Sequence, residues 1–169
     1  MMLLAGLLSL GLLGACEAPP SATTAIAAPT LSPTLRQDLY PTWVDAAGTI
    51  KWPPHDGFAA DPTSATLAPG TMIDRFGSEN GTFFSPQGEP FDARALPYIC
   101  TKMAHTVYRV TLPTHVLAGN AAPWFGEPGG AKQYETDQPA FKLRESGSLQ
   151  VVTNDTGGTG KPAAPCGGS

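Results

Sequence analysis

Apolar and polar positions alternate in this chain over short runs bounded by Gly, Pro and Asn, and long helical periodicity is scarce. Six runs read as strands: TMIDRF from Thr71, TFFS from Thr82, TVYRVTL from Thr106, HVLAG from His115, KQYET from Lys132 and SLQVV from Ser148. In TVYRVTL the alternation puts Tyr108, Val110 and Leu112 on one face and Val107 and Arg109 on the other, the pattern of a half-buried strand with Tyr108 in the core. Short helical turns are expected in TWVDAA from Thr42 and in PAFKLRES from Pro139, the second docking Phe141 and Leu143 on the sheet. The pattern predicts the α+β class: a small, strand-dominated single domain with a twisted antiparallel sheet and short flanking helices.

The longest apolar run, LLAGLLSLGLL at residues 3–13, is too short to span a bilayer as a helix and is followed by small residues, as in an export signal. No Lys or Arg precedes it. The junction Leu13-Gly14-Ala15-Cys16 resembles the lipobox of bacterial lipoproteins, which implies cleavage before Cys16 and lipidation of that residue. Residues 16–37 are rich in Pro, Ala and Thr with little to bury, and read as a tether. The organisation expected is a signal peptide at 1–15, the tether at 16–37, a domain at 38–152 and a Gly-rich tail at 153–169. The protein is then expected in the cell envelope, lipid-anchored at Cys16, or secreted.

Three cysteines leave one over in an oxidising compartment unless it is modified. With Cys16 lipidated, Cys100 and Cys166 remain as a pair whose disulfide would tie the tail to the domain. The alternative is a buried Cys100 and a free thiol in the tail.

Composition removes several function classes. A net charge of −4 with no basic run argues against nucleic acid. The histidines, His55, His105 and His115, show no ligand spacing, so no metal is expected; G-x-S-x-G, the P-loop and G-x-G-x-x-G are all absent. What remains is the stretch PWFGEPGGAKQY, Pro123 to Tyr134, where two large aromatics stand against a Pro-Gly-Gly turn. Trp124 and Phe125 need a core or a ligand to cover them.

Four segments, taken in order, carry a resemblance: WPPHDGFA from Trp52, LAPGTMIDRFGSENGTFFSPQGEPFDARALP from Leu67, VYRV from Val107 and VLAGNAAPWFGEPGGAKQY from Val116. Together they resemble the tuberculosis necrotizing toxin domain, a family of secreted NAD glycohydrolases, over roughly Trp52 to Val152. The resemblance implies hydrolysis of the nicotinamide–ribose bond of NAD+ or NADP+, which is substrate here, with no cofactor. A cognate immunity protein is a possible partner, and contact with a membrane would run through the lipid anchor only. Nicotinamide leaves as a neutral ring from a cationic state, so no general acid has to protonate a leaving oxygen. Such a site works by positioning and electrostatics.

On the matching positions the resemblance implies that Arg75 in IDRFG and Gln133 in GGAKQY are catalytic. The planar fork of Arg75 suits a pyrophosphate or ribose contact, the alternative being a salt bridge to Asp74 or Glu79. The amide of Gln133 can both donate and accept, the alternative being an exposed strand residue. Phe83 or Phe84 falls where the family has a functional aromatic, Phe83 being the better match, against the alternative of core. The family reads H-V-Y where this chain reads AHTVYRV, so His105 stands one residue early; it is either the third catalytic residue or an ordinary loop histidine. His55 and His115 read as surface or structural. Phe125 and Trp124 are expected to line the cleft, with core packing equally open for Trp124. Two further functions compete: a noncatalytic envelope protein binding a nucleotide or partner, and an ADP-ribosyl transferase, which would want an acidic E-x-E motif that is absent.

Overall fold

Seven strands build one sheet, with every neighbouring pair antiparallel. They are β1 (Thr63–Leu67), β2 (Met72–Phe76), β3 (Phe83–Pro86), β4 (His105–Val110), β5 (Thr114–Asn120), β6 (Lys132–Glu135) and β7 (Leu149–Asp155), in the spatial order β1-β5-β6-β3-β2-β4-β7. The computed structural model describes Ser32, residues 34–155 and Cys166. The expected signal peptide, Cys16, most of the tether and the rest of the tail lie outside the described residues.

The six expected strands are present. β1 was not expected, because TSATL offers only Ala65 and Leu67 to the core and lies at the sheet edge, paired with β5 alone. β4 begins at His105, one residue before the expected run, and ends at Val110, so Leu112 is exposed rather than part of a buried face. The main core gathers Ile73, Phe84, Tyr108, Val110, Val116 and Leu149 from one sheet face under helix α1 (Ala140–Glu145).

α1 docks Ala140 and Leu143, not the expected pair Phe141 and Leu143. Residues two apart on a helix point about 200° from each other, whereas three apart share a face, so Phe141 stays half-buried. TWVDAA is a turn rather than a helix. Asp45 accepts hydrogen bonds from the backbone N–H of Ala47 and Thr49, and Val44 bridges Ile50.

A second cluster of Leu35, Leu39, Val44 and Phe125 packs with Trp43, Ile50, Tyr98 and Trp124. Leu35 therefore belongs to the packed region although it falls in the stretch read as tether. At the other end β7 continues past Val152 to Asp155, because it pairs with the full length of β4.

Cys100 and Cys166 are joined in a disulfide across 66 residues. In the chain-entropy picture such a loop stabilises by about 4 kcal/mol. Cys100→Ser is expected to lower stability by about that amount and to abolish the effect of a reductant on the melting temperature. Thermal melts with and without reductant check this.

Candidate functional site

β2 and β3 share only two register pairs, Ile73 with Pro86 and Asp74 with Ser85. Beyond them β3 turns to β6, pairing Phe83 with Glu135 and Phe84 with Tyr134. A fork opens between the strands, with Arg75 and Phe76 on one side and Phe83 and Phe84 on the other. Two adjoining recesses of about 250 and 330 Å³ lie there, both lined by Trp52, Phe83, Arg94, Leu96 and Gln133.

Successive residues of a strand face opposite sides, and that alternation sorts the charged groups. Ile73, Arg75, Tyr108 and Phe84 fall on the core face, while Asp74, Phe76 and His105 fall on the other. Arg75 is 8% exposed, yet among the described residues it has no ion-pair partner. Its Nε has no hydrogen-bond partner, and Nη1 reaches the Phe83 carbonyl only at 3.5 Å. Both carboxylates that could neutralise it are engaged elsewhere: Asp74 by Arg94 and His105, Glu79 by Arg144. Burial pushes the Arg75 guanidinium below its usual pKa, opposed by Tyr108 and Glu79. A buried cation left this way wants an anion, and Arg75 lines the larger recess.

Gly81 explains how the guanidinium is enclosed. A Cβ at that position would come within 2.7 Å of Arg75 Cζ, so with a larger residue there the guanidinium would have to shift from this position.

Gln133 is delivered by β6, opposite Gly119 of β5. Its Nε2 donates to the Asp56 carbonyl at 3.2 Å. A carbonyl only accepts, so this bond fixes the amide and leaves Oε1 as an acceptor for a hydroxyl or a water. The PWFG turn that precedes β6 is now explained. Phe125 and Gly126 take positive φ, and Gly129 lies where a Cβ would strike the Ala122–Pro123 backbone at 2.6 Å, so the loop can lie flat on its own start.

Phe83 is 39% exposed and lines both recesses. Phe84 is buried against Tyr108 in the core and borders only the larger recess. Phe125 walls the smaller recess. Trp124 lines neither recess. It packs, half-buried, on Trp43 at 4.9 Å and donates its Nε1–H to the Lys51 carbonyl at 2.8 Å, a placement on the side of the core packing left open for it.

His105 lines neither recess either. Its place in β4 opposite Phe76 turns it to the face of Asp74, where Nε2 lies 3.1 Å from Oδ2 and the ring stacks on Phe76. Of the two readings left open for it, the loop histidine is replaced by a strand residue paired with Asp74, and a catalytic His105 would have to act from outside both recesses. His55 is exposed in a turn, and His115 lines a separate acidic recess beside Glu135 and Asp137. Burial, then Asp56, raises the pKa of Glu135. Among the described residues no group of His, Cys, Asp or Glu is placed to hold a metal ion.

Sequence reasoning assigned no role to Arg94. The loop carrying it folds over the Asp74 face, with Gly88 N–H donating to Asp74 Oδ2 at 3.2 Å. Arg94 lies over the Phe76 ring, and its Nε and Nη2 both donate to the Glu89 carbonyl. Nη2 also lies 2.6 Å from Asp74 Oδ1, as an ion pair not aligned as a hydrogen bond. Burial lowers the pKa of Arg94 and Asp74 opposes it. Ala95, next in the chain, is held at φ 51°, a strained conformation for alanine that carries the loop along the recess. The available signal was the arginine inside PFDARALP, in a segment already singled out by its motif.

A family model described as Tuberculosis necrotizing toxin matches residues 66–152. The chain belongs to this family. Among its relatives is the conidial surface nicotinamide adenine dinucleotide glycohydrolase nadA of Aspergillus fumigatus, 37% identical over 126 residues that cover 67% of this chain and 54% of that protein. The chain thus spans about half the length of this curated relative. In fold, the chain is similar to tuberculosis necrotizing toxin solved with its immunity factor, at a TM-score of 0.48 and 19% identity over 63% of this chain and 65% of that one. Rhs1-CT, solved with its cognate immunity protein, gives 0.45 and 17% over 63% and 89%. Arg75, Phe83, Arg94 and Gln133, which line the larger recess, all lie inside the matched segment, whereas Trp52 lies outside it.

Proposed function

We propose that the protein is an NAD(P)+ glycohydrolase, releasing nicotinamide and ADP-ribose or its phosphorylated form. The observation that carries this reading is Arg75, a buried cation without a counter-ion among the described residues, at the edge of a cleft that also presents Arg94, Phe83 and Gln133. The pyrophosphate of a dinucleotide supplies the missing anion, and its flat bases suit the aromatic walls. The glycohydrolase name of the Aspergillus relative supports the same reaction.

In this reading Arg75 holds the pyrophosphate by charge. Arg94, already neutralised by Asp74, acts through the fixed geometry of its fork. Gln133 uses Oε1 to orient the ribose or the attacking water as the glycosidic bond lengthens. The ring nitrogen takes the bonding pair, so nicotinamide departs neutral, and water adds to the anomeric carbon with loss of a proton.

The apolar run at residues 3–13 and the lipobox-like junction at Cys16 support a protein held in the envelope or secreted, acting on external NAD, as a toxin or a scavenger. A cognate immunity protein is then a partner only where the enzyme meets cytoplasmic NAD. Chromatography of NAD+ incubated with the full chain tests the reaction. Wild type is expected to give nicotinamide and ADP-ribose in equal amounts, and Gln133→Ala to lower kcat by about 10²-fold with binding largely kept. An unchanged kcat in Gln133→Ala would remove that residue from the site.

A further inference from the structure

Trp52 is the most exposed of the large apolar side chains among the described residues, at 55%, yet one side of its ring is packed and the chain on either side of it is held. Its ring meets Phe125 edge-on at 5.7 Å and Tyr98 at 6.5 Å. Before it in the chain, the Lys51 carbonyl accepts from Trp124 Nε1, and the Lys51 N–H donates to the Trp43 carbonyl at 2.8 Å. After it come Pro53 and Pro54, which hold the backbone at Trp52 extended. The second hydrophobic cluster anchors the whole segment through Val44 and Phe125.

A large ring left more than half exposed forgoes the gain of burial, and a ring immobilised in that state has already lost its freedom. A tryptophan needed only for stability would be packed further in, as the half-buried Trp43 and Trp124 are against the second cluster. Trp52 instead lines both recesses, which it shares with Phe83, the other aromatic left exposed there. Rigid aromatics presented on a mostly apolar cleft, with Arg94 and Gln133 between, form a slot for a flat ring.

We infer that Trp52 is a substrate-binding residue that stacks on a heteroaromatic base of the ligand. The inference rests on the dinucleotide reading above and extends the binding site outside the segment that defines the family, residues 66–152. Nicotinamide and adenine share the required chemistry. A nicotinamide ring that is cationic in the substrate and neutral as it leaves would be held more tightly before the bond breaks than after, through attraction to the indole face. Adenine would be held equally throughout. In both cases Trp52 acts on binding of the ground state, and its loss raises KM rather than lowering kcat.

The test uses calorimetric titration of the full chain and of Trp52→Ala and Trp52→Phe with three probes: nicotinamide, ADP-ribose and inorganic pyrophosphate. Trp52→Ala is expected to weaken at least one ring-bearing probe by about tenfold, to spare pyrophosphate, and to be largely rescued in Trp52→Phe. Weakened nicotinamide assigns the ring to that base, and weakened ADP-ribose assigns it to adenine. The exposure of Trp52 makes both variants compatible with folding, which matching melting temperatures verify. Ring-probe affinities unchanged in a folded Trp52→Ala overturn the inference, as does wild type that binds neither ring probe. Wild type that binds the probes through Trp52 but never cleaves NAD+ would leave this inference standing and sink the glycohydrolase reading.

Discussion

Replacing Arg75 by methionine is expected to remove turnover of NAD+ by about 10³-fold while leaving the melting temperature unchanged or raised. The two outcomes have one cause. Arg75 is nine-tenths buried with an unpartnered Nε and no ion pair among the described residues, so in the free protein its charge costs desolvation that Tyr108 and Glu79 only partly offset. Methionine fills a similar volume without that charge, and loses the long hydrogen bond to the Phe83 carbonyl and the contact with the Phe84 ring, 5.6 Å from the guanidinium. Steady-state kinetics and thermal melts on the same preparations check the pair. A fall in both activity and melting temperature would instead make Arg75 a structural residue.

Asp74 should behave in the opposite way. Its carboxylate is fully buried and serves Arg94, His105 and the Gly88 N–H together. Asp74→Asn leaves Arg94 as an uncompensated buried cation, which costs about 3–5 kcal/mol. The expected fall in Tm is roughly 10–20 °C for a domain of this size. Adding Arg94→Met to Asp74→Asn removes the orphaned charge, so the double variant should recover much of the loss by non-additivity. A double variant as unstable as the sum of both single changes would contradict the pairing. Urea melts of the four proteins in this cycle make the comparison.

The contrast between these neighbours shows what was legible in the sequence. The salt bridge from Arg75 to Asp74 was a reasonable alternative on proximity, but adjacent strand residues point to opposite faces, so alternation alone already separates them. That Glu79 is taken by Arg144 depends on contact between residues 65 apart, which no local pattern carries. The six alternating runs became strands because each has a face to bury. β1 lacked that signal, since an edge strand of small residues buries little. Motif spacing identified Gln133, but only the fold shows that Asp56 orients its amide. For His105 the sequence leaves two readings open because the outcome depends on where β4 begins, and one residue decides which face it takes. Trp52 and Arg94 went unassigned for a related reason: both reach the cleft on loops whose course is set by distant packing.

The most direct measurement is hydrolysis of NAD+ by the full chain, with its disulfide intact, in water enriched in oxygen-18. The account predicts equal amounts of nicotinamide and ADP-ribose, with one labelled oxygen on the ribose. A folded protein that releases no nicotinamide from NAD+ or NADP+ would contradict it.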